Sequence, residues 1–310
     1  LGNRVEVVLF EKARGVSGRM STRRAEPYYF DHGAQYFTAR TKPFQKFIQP
    51  FISDGVIKRW LARYAKFDDD RVVELKDWKN DEPRYVGSPA MNSFAKALSK
   101  QLNIKLNTRV TSLEKDDKWV LKDAEGCIHE GFDWVISTAP SPQTSALFPR
   151  SYRYIEDIEK IEMRACFSLM LGFNRGLNLD FDAAHVINAD ISWLAVNSTK
   201  PNRSNASSLL VHSSEDFAEQ HLEADPLEIQ RRLCAETSRI IARDVNDATF
   251  KAVHRWRYAN NAERKTFPVF LDIDENLGAC GDWCLGGRVE NAFVSAHSLY
   301  GEMKSLLNTT

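Results

Sequence analysis

Two stretches at opposite ends of the chain bring together residue types able to grip a phosphorylated, redox-active cofactor. The first runs from Glu11 to Tyr36. Glu11 closes an apolar run, and an acidic residue at the carboxyl end of the second strand of a dinucleotide-binding unit can hydrogen-bond the hydroxyls of an adenosine ribose. Arg14-Gly15-Val16-Ser17-Gly18-Arg19-Met20 follows. Its glycines permit close backbone approach and its arginines offer paired donors to phosphate, so it reads as a loop on the pyrophosphate side. The second stretch runs from Gly281 to Phe293. Asp282 could hold ribityl hydroxyls, while Gly286-Gly287-Arg288-Val289-Glu290 opens a helix whose amides and partial positive charge suit the electron-rich end of a reduced flavin ring. Taken singly, Glu11 is an ordinary strand end and Gly281-Asp282 an ordinary turn. Their conjunction points to a flavin.

Such groups need strands and helices to place them. Val5 to Phe10 is a nearly continuous apolar run, as in a buried parallel strand. A parallel strand needs a neighbour and a crossover, so a further segment is expected just before Leu1. Pro43 to Arg63 carries apolar residues at helical spacing and is predicted as helix, as is Ser93 to Leu102 after the turn Gly87 to Asn92. Ile104 to Val110, Lys118 to Lys122 and Trp134 to Thr138 are predicted strands, ended by the breaker Ala139-Pro140-Ser141-Pro142. Beyond it, residues 165–173, 184–187, 192–196 and 208–212 read as a mostly antiparallel sheet beside an amphipathic helix from Pro226 to Arg243. Strands at 269–271 and 277–280 lead to a final helix from Val289 to Leu307.

The fold class that follows is α/β: a three-layer, Rossmann-like FAD-binding domain with a parallel sheet, plus an α+β substrate domain whose sheet is mostly antiparallel. The expected division assigns 1–40, 84–140 and 266–310 to the FAD-binding domain, with its first βα unit missing. Residues 41–83 and 141–265 form the substrate domain.

Composition narrows the function classes. At 310 residues and 43% hydrophobic content the chain can bury a sizeable core. Its 42 basic residues balance its 42 acidic ones, which argues against a nucleic-acid backbone or an anionic membrane as partner. No apolar stretch reaches the roughly 20 residues a bilayer span needs, and the first residues lack a signal-peptide layout. The five cysteines, Cys127, Cys166, Cys234, Cys280 and Cys284, are scattered, which fits a reduced compartment, and a cytoplasmic location is expected. Cys280 and Cys284 lack the second ligand pair that structural zinc wants, so no metal is expected.

The sequence resembles the glutathione-reductase-like FAD superfamily and, within it, the renalase-like flavin amine oxidases, especially their bacterial branch. Phe10-Glu11-Lys12, Arg14-Gly15 and Gly18-Arg19-Met20 match at superfamily level. Gly33-Ala34-Gln35-Tyr36-Phe37-Thr38-Ala39-Arg40 and Gly281-Asp282-Trp283-Cys284-Leu285 with Gly287-Arg288-Val289-Glu290 are specific to the family. Val86-Gly87 with Pro89 and Met91, and His254-Arg255-Trp256 with Tyr258-Ala259, add to it. The resemblance implies an FAD enzyme that oxidises dihydronicotinamide dinucleotides, particularly the 2- and 6-dihydro isomers of NAD(P), to NAD(P)+ while O2 becomes hydrogen peroxide. It implies Glu11 on the adenosine ribose, Arg19 near the pyrophosphate and Val110 by the adenine. Gln35 and Tyr36 would lie against the flavin, Asp282 on the ribityl chain or pyrophosphate, and Val289 near the pyrimidine edge. Tyr36, Phe37, Thr38, Ala39, Arg40 and Arg288 would border the substrate. One departure is the missing strand and Gly-x-Gly-x-x-Gly turn that open the family's fold. That segment is expected in the full protein, upstream of Leu1; the alternative is a real loss, in which the pyrophosphate lacks its helix N-terminus and FAD affinity falls.

Chemistry of this kind asks a protein for positioning and electrostatics rather than for a nucleophile. His32, His185, His212 and His254 have no fixed carboxylate or serine partner in sequence, and none is assigned a catalytic role. Trp193, Trp256 and Tyr258 could wall a flat nicotinamide or belong to the core; Trp256 and Tyr258 alternate along one strand and so share a face. Arg40, Arg164, Lys200 and Arg288 are candidates for a dinucleotide phosphate, Arg288 foremost. Two other readings stay open: a flavin oxidase acting on an amine or polyene, and a non-catalytic FAD-binding scaffold.

Overall fold

The computed structural model describes residues 5–78, 82–261 and 267–309. The chain packs as two compact units, one comprising Leu1–Val16, Leu98–Met163 and Asn260–Thr310, the other Ser17–Ala97 and Arg164–Ala259. Residues 17–40 and 84–97 therefore pack within the second unit and 141–163 within the first. The division expected from sequence groups residues by cofactor rather than by packing, and it differs over these segments.

In the first unit, strand Val8–Phe10 pairs in parallel with Asn103–Lys105, and the Glu11 amide extends the ladder by donating to Lys105 O at 2.9 Å. The pairing has the expected sense, but the strand is less buried than its composition suggests, with Val7 54% and Leu9 38% exposed. Among the described residues it is bonded along one edge only, which leaves part of its surface open. A three-stranded antiparallel sheet joins Val110–Lys115, Trp119–Asp123 and Ile128–Phe132. Val135–Ser137 runs parallel to Leu277–Cys280, which pairs antiparallel with Val269–Asp272. The core beneath them stacks Trp283 on Phe270, 5.9 Å between ring centres, and buries Phe148, Tyr152 and Ile158. Helix Val289–Thr309 follows the last strand.

The second unit is built on a seven-stranded sheet. Its order is Phe250–Asn260, Arg164–Phe173, Ser207–Ser213, Ile191–Val196, Ala183–Ile187, Arg63–Asp68 and Arg71–Asp77. From Arg164–Phe173 to Arg71–Asp77 the pairings are antiparallel except between Ala183–Ile187 and Arg63–Asp68. Both faces are covered, which explains the unbroken apolar runs of the central strands. Leu169, Leu171, Leu194, Leu209 and Val211 pack with helix Pro226–Ile240 on one side, whereas Met170, Ala195 and Leu210 meet Tyr28, Phe30 and Trp60 on the other. This is the two-residue alternation of a strand.

The helix predicted over Pro43 to Arg63 is shorter. It spans Lys42–Ser53, and Gly55 at φ +71° turns the chain into strand Ile57–Arg59. Helical spacing carries on through Val56, Ile57 and Trp60 by coincidence, and glycine at positive φ overrides it. The single strand predicted over Ile104 to Val110 is interrupted by Asn107 at φ +54°, so Asn103–Lys105 and Val110–Lys115 join different sheets. Among the described residues no helix is long and apolar enough to cross a membrane.

Candidate functional site

In the first unit Glu11 is half-buried, and its Oε1 accepts the Ala13 amide at 2.8 Å. That bond leaves the other carboxylate oxygen for a ligand hydroxyl. Arg14 and Gly15 are exposed, and a Cβ added at Gly15 would meet nothing within 4 Å. Val110 begins its strand, half-buried against the core. At the other end of the unit, Gly281 donates its amide to Ser295 Oγ at 2.9 Å, and a Cβ there would lie 2.5 Å from Trp283 Nε1. The Asp282 carbonyl accepts the amides of Leu285 at 2.9 Å and Gly287 at 3.2 Å. These bonds draw Asp282, Gly286 and Gly287 into one tight turn before the helix. Gly286 and Gly287 have φ +90° and +51°, and a Cβ on Gly287 would fall 1.7 Å from Asn260 Oδ1. Both positions demand glycine. Arg288 is exposed and Val289 starts the helix.

In the second unit Ser17 and Gly18 adopt positive φ and lead into the short turn Gly18–Met20, whose N-cap Ser17 makes no side-chain capping bond. Open space surrounds Gly18. Arg19 Nη1 donates to Ala259 O at 3.0 Å, while Arg19 O accepts the Ala34 amide at 2.8 Å. Gly33 lies so close to Arg19 that a Cβ would be 1.9 Å from that carbonyl oxygen.

The loop from Asp31 to Tyr36 rests on a buried ionic cluster. Asp31 Oδ1 accepts from Thr22 Oγ1 at 2.7 Å and from the Met91 amide at 3.0 Å. Its Oδ2 accepts from Arg203 Nη2 at 2.7 Å, Arg203 Nε at 3.1 Å and Lys200 Nζ at 3.3 Å. Burial by itself would raise the Asp31 carboxyl; the Lys200 and Arg203 cations outweigh it and hold the group at about 2. Gln35 is buried, and its Nε2 donates to Asp31 O at 2.5 Å and to Gly33 O at 2.8 Å. The amide expected against the flavin thus binds its own loop through both hydrogens.

Tyr36 joins an aromatic wall. Its ring centre lies 5.1 Å from Trp78 and 5.7 Å from Trp193, and the Arg84 guanidinium sits 4.6 Å from the Trp78 ring centre and 6.0 Å from that of Tyr36. Trp193 Nε1 and Arg84 Nε are buried donors without a hydrogen-bond partner among the described residues. Phe37, by contrast, is 4% exposed and packs among Phe44, Tyr85 and Phe94. Thr38 and Ala39 are half-buried, and Arg40 binds Glu82 Oε1 through Nε at 3.0 Å and Nη2 at 2.6 Å. Ala39, Arg40, Glu82 and Tyr85 border a cavity of about 320 Å³.

Trp256 and Tyr258 share one face of their strand, opposite Arg255 and Arg257, which pair with Glu223. Trp256 donates its indole N–H to His32 O at 2.8 Å and stacks on the His32 ring at 5.2 Å. Burial pushes His32 and His212 down to about 4, and lowers His254 as well. Cys280 and Cys284 are buried thiols that burial pushes up to about 11 and about 12. Arg164 opens its strand half-buried. Lys200 requires a correction: its side chain is fully buried against Asp31 and cannot reach a dinucleotide phosphate. Asp31, Trp78, Arg84 and Arg203 were not singled out from sequence. The one local signal was Asn197-x-x-Lys200-Pro201-x-Arg203, polar residues around a turn after an apolar strand.

The residues suit a flavin dinucleotide on chemical grounds. Glu11 and Asp282 carry carboxylates of the kind that bind hydroxyls, Gly15 and Gly18 leave bare backbone in open space, and Arg14 and Arg19 carry guanidinium groups of the kind that bind phosphate. Fold and site together define an FAD-dependent α/β oxidoreductase. The profile of the flavin containing amine oxidoreductase family matches residues 60–298, and that of an NAD(P)-binding Rossmann-like domain matches residues 2–51. The chain belongs to the flavin containing amine oxidoreductase family, and FAD is its cofactor. It is 23% identical to renalase of Mus musculus over 275 residues, covering 81% of this chain and 76% of the relative. A crystal structure assigned as a protoporphyrinogen oxidase from Exiguobacterium sp. 255-15 superposes with a TM-score of 0.76 at 11% identity, over 96% of this chain and 92% of the other. A redesigned putrescine oxidase, the A394C mutant, gives 0.58 at 10% identity over 80% and 78%. At such identities the structural likeness establishes the fold alone.

Proposed function

We propose that this protein oxidises dihydronicotinamide dinucleotides, the 2- and 6-dihydro isomers of NAD(P), to NAD(P)+, with O2 reduced to hydrogen peroxide. Bound FAD supplies the two-electron sink. The chain's own task is to hold, orient and dry the reactants. The observation that carries the reading is the aromatic wall of Tyr36, Trp78 and Trp193, with two unpartnered N–H donors, Trp193 Nε1 and Arg84 Nε, set into it. Such a wall offers faces to a planar nicotinamide, and its two buried donors, closed to solvent here, would meet a carboxamide oxygen once the side chains part to admit it. Trp256 and Tyr258 would extend it, and Thr38, Ala39, Arg40 and Arg288 would border the dinucleotide. His32, His212 and His254 are held neutral at pH 7, which suits a reaction that asks for no acid–base pair.

For the cofactor we propose Glu11 on the adenosine ribose, Val110 by the adenine, and Arg14, Gly15, Gly18 and Arg19 on the pyrophosphate. Gly281 and Asp282 would hold the ribityl chain, Val289 the pyrimidine edge, and the Gln35-Tyr36 loop the ring. The division into an FAD-binding part (1–40, 84–140, 266–310) and a substrate part (41–83, 141–265) is part of the same proposal. Anaerobic mixing tests the substrate. Bleaching of the flavin absorbance by 2- or 6-dihydro-NAD(P), and not by amines or by a polyene precursor, is the expected result. Bleaching by amines alone would replace this reading with an amine oxidase, and a protein that takes up FAD but is reduced by neither class would be a scaffold.

A further inference from the structure

The ionic cluster under the Asp31–Tyr36 loop holds one cation more than its carboxylate needs. Arg203 meets Asp31 Oδ2 through two nitrogens, at 2.7 and 3.1 Å, and so neutralises it; Thr22 and the Met91 amide fill Oδ1. Lys200, at 3.3 Å, is the longest of these contacts, yet its side chain is completely buried. Burying an ammonium costs several kcal/mol even after relaxation. A contact to the Trp60 ring, 5.2 Å from centroid to Nζ, offsets part of this. What distinguishes Lys200 is its other bond, to Gln35 Oε1 at 3.2 Å. A donor at that point decides which end of the Gln35 amide faces it. The oxygen must turn to Lys200, so the nitrogen must turn to Asp31 O and Gly33 O. With one carboxylate against two cations, the support of the loop also carries a single net positive charge.

We propose that Lys200 is a positioning residue of the flavin site: it locks Gln35, through Gln35 fixes the loop from Asp31 to Tyr36, and adds a buried positive charge that favours reduction of the bound flavin. The proposal rests on the reading that this loop meets the flavin ring, and it does not depend on which substrate the enzyme takes. Positive charge near a flavin stabilises its electron-rich reduced form, as a helix N-terminus does. The charge is also titratable. Burial lowers the Lys200 ammonium, Asp31 pulls it back up in part, and it settles at about 8. The other charged groups facing it are Asp31, Arg203 and His212, with His32 beside them. Asp31 titrates at about 2 and both imidazoles at about 4, and an arginine stays charged, so Lys200 alone changes state between pH 6.5 and 9.5.

The test uses the full FAD-loaded protein and the midpoint potential of its flavin, measured by dye equilibration from pH 6.5 to 9.5. Wild type should show an inflection near pH 8, with the flavin harder to reduce above it. Lys200→Met should lose that inflection and lower the ratio of reduced to oxidised flavin about tenfold at a fixed potential, about 30 mV for a two-electron couple. Lys200→Arg should restore the ratio without the inflection. Gln35→Leu should weaken FAD binding but keep the inflection. A Lys200→Met protein with unchanged potential overturns the proposal, as does a wild-type profile without the inflection, which needs no variant to fold. If neither Gln35→Leu nor Lys200→Met alters the flavin's absorbance, affinity or potential, the loop is not the wall of the ring and the underlying reading fails. If Gln35→Leu alters them and Lys200→Met does not, only the role given to Lys200 fails.

Discussion

Gly33→Ala isolates the close approach on which the loop from Asp31 to Tyr36 is built. The new methyl carbon would sit 1.9 Å from Arg19 O, 2.9 Å from Arg19 C and 3.4 Å from Arg19 Cα. A carbon–oxygen contact settles near about 3.3 Å, so the two backbones must separate by about 1.4 Å. The obstacle is main chain and cannot swing aside as a side-chain tip does. The same carbonyl accepts the Ala34 amide at 2.8 Å, and that bond would be stretched beyond use. Overpacking of this kind costs about 1–3 kcal/mol and the lost bond about 1 kcal/mol more, or about 2–4 kcal/mol together. In a chain of this size the loss corresponds to a fall in Tm of about 3–6 °C. Because Arg19 lies in the loop assigned to the pyrophosphate, FAD affinity should fall as well. Gly15→Ala is the matched steric control: no protein atom crowds it, so the Tm of the apo-protein should stay within about 1 °C, an ordinary surface effect. Melting of apo- and FAD-loaded protein, followed by tryptophan and flavin fluorescence, separates the two effects. A Gly33→Ala protein that melts with wild type would refute the steric argument.

Gly287→Ala must adopt φ +51° with a methyl against the Asn260 side chain, which can partly retreat; its denaturant midpoint should drop by the equivalent of about 1–2 kcal/mol. Trp193→Phe keeps the aromatic face and deletes an unpartnered buried donor, so stability should hold or rise while the KM for a dihydronicotinamide substrate rises severalfold, read by steady-state peroxide assay. His32 and His212 are depressed by burial from 6.5 to about 4, so the unfolded chain binds their protons first. The stability they support is complete above pH about 6.5 and drains away as pH falls toward about 4; Tm measured across that window should decline, and less steeply in His212→Gln. Glu11→Gln should fold normally yet bind FAD more weakly, by titration of flavin fluorescence, because the carboxylate assigned to the ribose hydroxyls loses its charge.

Sequence pattern revealed the parts whose periodicity and burial agree. The apolar runs 165–173, 192–196 and 208–212 correspond to Arg164–Phe173, Ile191–Val196 and Ser207–Ser213, since strands covered on both faces have no polar side to interrupt them. Arg71–Asp77 went unread for the opposite reason: it lies at a sheet edge, Val72, Val73 and Leu75 are at least half exposed, and its alternation is blurred by charge. The Gly281–Glu290 turn was legible because paired glycines before a long helix serve little purpose except a tight turn, and both take the left-handed backbone that turn requires. Trp78 and Arg84 gave no such cue. A tryptophan and an arginine flanking a loop have many ordinary uses, and their pairing with Tyr36 and Trp193 comes only when distant strands are joined.

The buried ionic cluster shows where a sequence reading stops for physical rather than statistical reasons. Charge in sequence defaults to the surface, because an unpaired buried charge is costly and a pairing cannot be seen across a separation of 169 positions, that of Asp31 and Lys200. Lys200 therefore looked like a free cation for phosphate, and its burial reverses that role. The same cluster also constrains the loop from Asp31 to Tyr36. Within a few residues the loop must accept a glycine-only approach to Arg19, two bonds from Gln35 into its own backbone, and an aspartate that answers Thr22, Met91, Lys200 and Arg203 at once. The requirements reach the loop's own backbone and the segments around Arg19, Thr22, Met91 and Lys200 to Arg203, so exchanging one residue disturbs partners that others also use. A loop so constrained holds Tyr36 in place, which is what the role proposed for it against the flavin would require.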